Sequence, residues 1–81
     1  MYFIRSVKYI KEYQLLLSFN TGEKKLVDVK PYLGGEIFAP LKNLKYFKKA
    51  TLNKDIDTVV WDNGADFSPD FLYKIGKVVK K

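Results

Sequence analysis

The chain has 81 residues and a formal net charge of +6. Its length predicts one small domain spanning residues 1–81, and the order of its elements, given below, predicts an α+β domain. Its hydrophobic content of 47% is too high for a disordered chain, and no apolar run is long enough to cross a bilayer. The absence of cysteine and histidine excludes a disulfide framework and most zinc, thiolate and imidazole chemistry, and we expect a cytoplasmic location.

The charges are unevenly distributed along the chain. Of the fifteen basic residues all but Arg5 are lysines, and arginine is the residue typical of bidentate guanine or phosphate recognition. Residues 55–70 contain five aspartates and no basic residue, whereas residues 71–81 contain four lysines and no acidic residue. We therefore expect a dipolar surface.

The N-terminal third predicts a three-stranded antiparallel meander. Residues 1–10 alternate imperfectly between apolar and polar, which is typical of a strand with a bulge or of one with both faces partly covered. Residues 13–19 alternate cleanly, residues 20–23 form a glycine-containing hairpin connection, and residues 25–29 form the returning strand.

The middle of the chain predicts a short helix. Pro31 ends the third strand, and apolar residues then recur at intervals of three and four over residues 40–47, with Asn43 able to break the helix into two turns. The apolar face consists of Ile37, Leu41, Leu44 and Phe47, with Lys42, Lys45 and Lys49 opposite. Residues 50–53 and 58–61 follow as the fourth and fifth strands.

The last part of the chain predicts a tight turn and a capped helix. Asp62-Asn63-Gly64 ends the fifth strand, and Ser68 with Pro69 marks the N-cap and first residue of a helix. Phe71, Leu72, Ile75, Val78 and Val79 share one helical face, although Gly76 inside it weakens the pattern. The order βββ-α-ββ-α predicts an α+β fold with a mainly antiparallel sheet of about five strands and short helices on one side.

One series of acidic residues could carry chemistry. Asp62, Asp66 and Asp70 could chelate a divalent cation or act as an acid/base pair, but their spacing does not match an EF-hand loop. A turn and the start of a helix also account for them. We therefore expect no enzymatic activity, no cofactor and no metal ligand.

The lysine-rich segment over residues 42–49 contains Tyr46 and Phe47, an interleaving seen in nucleic-acid contacts but equally in a solvated helix face. The sequence-predicted partner surface combines this segment with the acidic turn. Its members are Asp62, Asn63, Asp66, Asp70, Lys42, Lys45 and Lys49.

Several motifs together resemble a known family. They are, in order, residues 13–19 followed by Gly22; Val27-Asp28-Val29 with Pro31-Tyr32-Leu33; Ile37-Phe38-Ala39-Pro40-Leu41-Lys42 with Phe47; and Trp61-x-Asn63-Gly64-Ala65-Asp66 with Leu72-Tyr73. Over about residues 5–73 the chain resembles the bacterial family called domain of unknown function 2442.

The resemblance implies a small α+β fold and no established activity, cofactor or catalytic residue. Some longer relatives carry a C-terminal helix-turn-helix, for which 81 residues leave no room, so direct DNA binding is not expected. Other relatives are encoded beside a second small protein, which implies a partnered or toxin–antitoxin-like role.

Three hypotheses follow, in order of preference. The first is a non-catalytic protein-interaction or regulatory module whose partner is another protein, such as an adjacent-gene product. The second is a nucleic-acid-associated regulator that uses the lysine-rich face, and the third is a metal-dependent enzyme that uses the aspartates. No membrane partner is expected, and a homodimer stays open.

Overall fold

The computed structural model describes residues 1–79, and Lys80 and Lys81, two of the four lysines counted at the C-terminal end, lie outside the described residues. The strands are β1 (Ile4–Lys11), β2 (Gln14–Phe19), β3 (Lys24–Asp28), β4 (Thr51–Asn53), β5 (Thr58–Val60) and β6 (Lys77–Val78). The helices are α1 (Leu44–Phe47) and α2 (Pro69–Ile75), with 3₁₀ turns at Lys30–Tyr32 and Ala39–Lys42. The α+β fold class is confirmed.

The N-terminal meander is the larger part of a four-stranded antiparallel sheet ordered β1-β2-β3-β6. Leu16 of β2 lies between Lys8 of β1 and Leu26 of β3, and Leu26 pairs in turn with Lys77 of β6. The register of β1 shifts between Ile4 and Ser6 and again near its end, which agrees with the first of the two alternatives for this strand, a bulge.

Strands β4 and β5 form a separate two-stranded sheet instead of extending the first one. The backbone N–H of Ile4 donates to the carbonyl of Asp57 at 2.9 Å, which holds the β4–β5 hairpin against the start of β1. Residues 1–79 thus contain six strands, divided four and two, where the sequence pattern indicated about five in one sheet.

One hydrophobic core joins both sheets and α2. It contains Leu15 and Leu17 from β2, Val27 from β3, Val59 from β5 and Leu72 from α2, all fully buried. Within residues 1–79, no helix is long and apolar enough to cross a lipid bilayer.

Trp61 lies at the centre of this core with 2% of its surface exposed. Its indole Nε1–H donates to the backbone carbonyl of Phe47 at 2.9 Å, and its ring tilts against the Phe47 ring. Close by, the Thr58 hydroxyl donates to the carbonyl of Phe67 at 2.6 Å, so two buried polar side chains are paired.

The predicted helix over residues 40–47 is divided at Asn43, as its sequence allowed. Asn43 is extended, and its side chain accepts a hydrogen bond from the N–H of Lys45 at 2.9 Å, which caps α1. The predicted apolar face is only half correct. Leu41 and Phe47 are buried, whereas Ile37 and Leu44 are exposed, because the segment is not one continuous helix: Ile37 precedes the 3₁₀ turn that holds Leu41, and α1 begins only at Leu44.

Helix α2 begins as predicted but ends earlier. The Ser68 hydroxyl accepts from the N–H of Phe71 at 3.4 Å, with Pro69 at the first helical position. The helix stops at Ile75, and Gly76 turns extended at φ −76° and ψ 156°. The assignment of Val78 and Val79 to a helical face is therefore wrong: Val78 lies in β6, Val79 follows it, and both are exposed.

Candidate functional site

The predicted acidic turn is held in place mainly by Asn63. The Asn63 side chain accepts from the N–H of Ala65 at 3.1 Å and donates to the carbonyl of Ile37 at 2.8 Å, which links the turn to the segment before α1. Gly64 has φ 88°, a conformation that favours glycine, and Asp62 is exposed beside it. The bond to Ala65 is that of the predicted turn, whereas the bond to Ile37 is a structural role that the sequence alone did not assign.

The other two aspartates of the series also have local roles. Asp66 forms an isolated β-bridge with Val60, and its side chain is exposed. Asp70 lies in the first turn of α2, and its carboxylate accepts from the N–H of Tyr2 at 3.1 Å. In the described part of the chain, no group of three or more acidic, histidine or cysteine side chains could hold a metal ion.

The predicted lysines are all exposed, and Lys42, Lys45 and Lys49 lie on or beside α1. The indole of Trp61 contacts the last residue of α1, so α1 and the acidic turn are connected through the core. The two charge groups make no ion pair: among residues 1–79 the ion pair joins Arg5 and Asp57 at 3.9 Å. The surface predicted from the sequence therefore consists of two segments that are linked through Trp61 and Asn63, and its role as a partner surface stays a prediction.

A different surface emerges from the register of the four-stranded sheet. Side chains alternate between the two faces of each strand, and the residues between the core positions face away from the core. We call this side the open face. Its members are Ser6, Lys8 and Ile10 of β1, Gln14, Leu16 and Ser18 of β2, Lys24, Leu26 and Asp28 of β3, and Lys77 of β6.

The centre of the open face is apolar and its flanks are basic. Leu16 and Leu26 lie side by side on neighbouring strands, half-buried, and neither belongs to the core or to the side chains packed on it within the described residues. Lys8 of β1 pairs with Leu16, and Lys77 of β6 pairs with Leu26, so each leucine has a lysine beside it on the neighbouring strand. Both lysines are exposed. Because these lysines and Lys24 are exposed, no helix in the described part of the chain covers this face.

A shallow groove of about 240 Å³ opens at one end of the open face. Its lining comes from the sheet, from the 3₁₀ turn after β3 and from the end of α2, and consists of Gln14, Leu26, Asp28, Lys77, Pro31, Tyr32 and Ile75. A second groove of about 380 Å³ lies between β1 and the β4–β5 hairpin, where Arg5, Lys54 and Asp57 meet Leu52. The first groove is continuous with the two leucines and so extends the same apolar surface.

Opposite the open face, a polar cluster fastens β3 to α2. Lys25 is 8% exposed, its ammonium donates to the carbonyl of Tyr73 at 2.8 Å, and it lies 3.4 Å from the centroid of the Tyr73 ring. The Tyr73 hydroxyl donates to the carboxylate of Glu23, and the Tyr73 ring stacks on Tyr2 at 3.7 Å. This hydrogen bond lowers the pKa of Glu23 and raises the pKa of Tyr73 to about 12.

The open face was missed by sequence reasoning, although one signal for it is present. Leu16 and Leu26 interrupt the polar positions of otherwise alternating strands, so each places a large apolar side chain where water is expected. Which face the helices cover is set by the tertiary arrangement, and strand alternation does not encode it.

The comparisons with known proteins agree with the resemblance found in the sequence. The profile of a family described as "Protein of unknown function (DUF2442)" matches residues 4–78, which is nearly the whole chain. Searches of the curated proteins and of the solved structures returned no significant match. The chain therefore belongs to the DUF2442 family.

Proposed function

We propose that this protein is a non-catalytic interaction module that binds another protein through the open face of its four-stranded sheet. The observation that carries the proposal is the pair Leu16 and Leu26, two large, partly exposed apolar side chains at the centre of a sheet face that no helix of residues 1–79 covers. Half-exposed apolar side chains rimmed by polar ones mark interaction surfaces. A flat sheet face also changes little on binding, which lowers the entropic cost of association.

The side-chain chemistry supports a binding role over a catalytic one. The sequence contains no imidazole and no thiol, and the hydroxyl of Thr58, the buried member of the hydroxyl side chains, donates to a carbonyl of the core. The side chains of Asn63 and Asp70 accept hydrogen bonds from backbone N–H groups, so their polar atoms stabilise the fold. These assignments leave the surface as the place where function resides.

Affinity capture from a lysate of the native host tests the proposal with two matched double variants. L16S/L26S removes the apolar centre of the open face, and I37S/L44S removes two exposed apolar side chains elsewhere. Wild-type protein and I37S/L44S should retain the same protein after nuclease treatment, and L16S/L26S should lose it. Equal losses from both variants, or the capture of nuclease-sensitive material alone, would contradict the proposal.

A nucleic-acid-associated role is the second candidate, and the exposed lysines of residues 42–49 favour it. Lys42, Lys45 and Lys49 make no ion pair in the portion of the chain that the structure describes, so their charge is free to meet phosphate. Such binding falls steeply with salt. Titration of a single-stranded or duplex oligonucleotide at about 50 mM salt would reveal it, and no binding there would remove this candidate.

A further inference from the structure

We infer that the partner bound by the open face is an acidic amphipathic α-helix lying along β2 and β3. This inference rests on the proposed function and specifies the chemistry of its partner. The helix would place an apolar stripe over Leu16 and Leu26 and acidic side chains on both flanks of that stripe.

The charge of the open face selects an acidic partner. Lys8, Lys24 and Lys77 are exposed on it, and Asp28, whose carboxylate accepts from the N–H of Lys30, is its acidic member. Opposite potentials favour encounter and register, whereas like charges facing each other disfavour it. A second copy of this chain would bring lysine against lysine across the leucines, so self-association through this face is disfavoured.

The width of the face matches one helix. Lys8 and Lys77 lie on β1 and β6, which are separated by three strand spacings or about 14 Å. An α-helix with its side chains is about 10–12 Å across. A helix parallel to β2 and β3 therefore covers both leucines, and acidic residues on its two flanks reach a lysine on each side.

The length of the face and the groove at its end define the apolar spacing of the partner. From Ser18 to Gln14 along β2 the face extends four residues, about 13 Å, which equals about nine residues of α-helix. Such a helix presents apolar residues at i, i+4 and i+7. The last of these meets the 240 Å³ groove beside Tyr32 and Ile75, which is smaller than the roughly 300–1,000 Å³ typical of small-molecule pockets and suits a single anchoring side chain.

The apolar centre also distinguishes a protein partner from a nucleic acid. Single-stranded nucleic acids gain affinity when bases stack on aromatic rings, and the two central positions of this face are leucines. Phosphate groups gain no binding energy from contact with Leu16 and Leu26, so a bound nucleic acid would leave the two leucines packed against its charged backbone. An acidic amphipathic helix would pack apolar side chains on the leucines and place acidic side chains beside the lysines.

A synthetic peptide tests the inference by fluorescence anisotropy and by amide shifts of the ¹⁵N-labelled protein. The probe is a capped, fluorescein-labelled helical peptide of about 14 residues with leucines at i, i+4 and i+7 and glutamates flanking them. A peptide of the same composition with its leucines distributed around the helix serves as control. Shifts should be confined to residues 6–10, 14–18, 24–28 and 77 and to Tyr32 and Ile75 at the groove, and the control peptide should bind at least about tenfold more weakly.

Charge-reversed variants separate specific from general attraction. K8E/K77E should weaken binding about tenfold or more, whereas K45E/K49E, which has the same net charge, should leave it within about twofold. L16S/L26S should also abolish the shifts while its circular dichroism spectrum stays that of the wild type.

Three results would overturn the inference: no binding of the probe, equal weakening by the two charge-reversed variants, or displacement of the probe by a thymidine oligonucleotide that binds more tightly. If the lysate partner still depends on Leu16 and Leu26 while the probe does not bind, the proposed function stands and the acidic helix is wrong. If neither the lysate partner nor the probe binds, both the proposed function and the acidic-helix inference are wrong.

Discussion

Gly76 sits where α2 ends and β6 begins, in close contact with β3. A Cβ added at this position would lie 3.0 Å from the Cβ of Lys25, the Cγ2 of Val27 and the carbonyl of Leu72. Its φ of −76° is open to any residue, so the constraint is space and not backbone conformation. At the scale of single residues, the absence of one methyl group lets the chain pass from helix to strand.

We predict that Gly76→Ala destabilises the protein by about 1–3 kcal/mol, the usual effect of overpacking a tight contact. Urea unfolding followed by circular dichroism measures the change. Gly34→Ala is the matched control, because nothing lies within 4 Å of its added Cβ, and it should change the unfolding free energy by less than about 1 kcal/mol. Equal effects of the two substitutions would contradict the steric explanation.

The hydrogen bond between Tyr73 and Glu23 predicts a pH dependence at both ends of the scale. The pKa of Glu23 is lowered from 4.5, so its contribution to stability is present above pH 4.5 and is lost as the pH falls further. The pKa of Tyr73 is raised from 10.0 to about 12, so its contribution is full below pH 10 and is lost as the pH rises through about 12.

Melting temperatures of the wild type and Tyr73→Phe from pH 3 to pH 12 test this dependence. The wild type should exceed the variant by a constant margin between about pH 5 and pH 10, and the margin should shrink toward both extremes. Tyr32→Phe, which alters an exposed tyrosine, should show a margin that does not vary with pH. A pH-independent margin for Tyr73→Phe would rule out the coupling.

At the scale of elements, β6 is the part of the fold that the sequence pattern misassigned. Val78 and Val79 follow Ile75 at three and four residues, the spacing of a helical face, and a strand of two residues is too short to show alternation. Pairing with β3 outweighs that periodicity, since Lys77 and Val78 gain ladder partners there. By contrast, the meander and the Ser68 cap of α2 depend on local alternation and capping chemistry, and both were predicted.

We predict that Val79→Pro weakens the attachment of β6 to β3. The N–H of Val79 donates to the carbonyl of Lys24 at 2.9 Å, and proline has no such donor. Amide hydrogen exchange in β3 should become faster and the unfolding free energy should fall by about 1 kcal/mol. Val79→Ala keeps the donor and should leave the exchange rates of β3 close to those of the wild type.

At the scale of the whole molecule, the two sheets share one core and should unfold together. Leu17 belongs to the four-stranded sheet, Trp61 follows the small sheet, and both lie in the same buried cluster. We predict that Leu17→Ala costs about 2–5 kcal/mol. Because unfolding is cooperative, circular dichroism and Trp61 fluorescence should report the same lowered midpoint.

The exposed hairpin residue Ile56 provides the control for that measurement. Ile56→Ala should keep both midpoints within the range of a surface substitution, about 0.5 kcal/mol. A fluorescence midpoint that stays at the wild-type value in Leu17→Ala, while the circular dichroism midpoint falls, would show that the sheets unfold separately.

The candidate site was less predictable than the fold. The sequence shows where charge is concentrated, which led to the surface of Asp62, Asp66 and the lysines of residues 42–49. The open face depends instead on which side of the sheet α2 and the β4–β5 hairpin cover, a property of long-range packing. Lys8 is distant in sequence from Leu16, and Lys77 from Leu26, and only the pairing of the strands brings each lysine beside its leucine.

The anchoring of Lys25 makes one amine of this lysine-rich chain chemically distinct. Its ammonium is held between the carbonyl and the ring of Tyr73, where an acylating reagent has little access. The exposed lysines should react first, and Lys25 only when β3 and α2 separate. The acylation rate of Lys25, followed by mass spectrometry, would therefore measure how often the protein opens globally, without any added label.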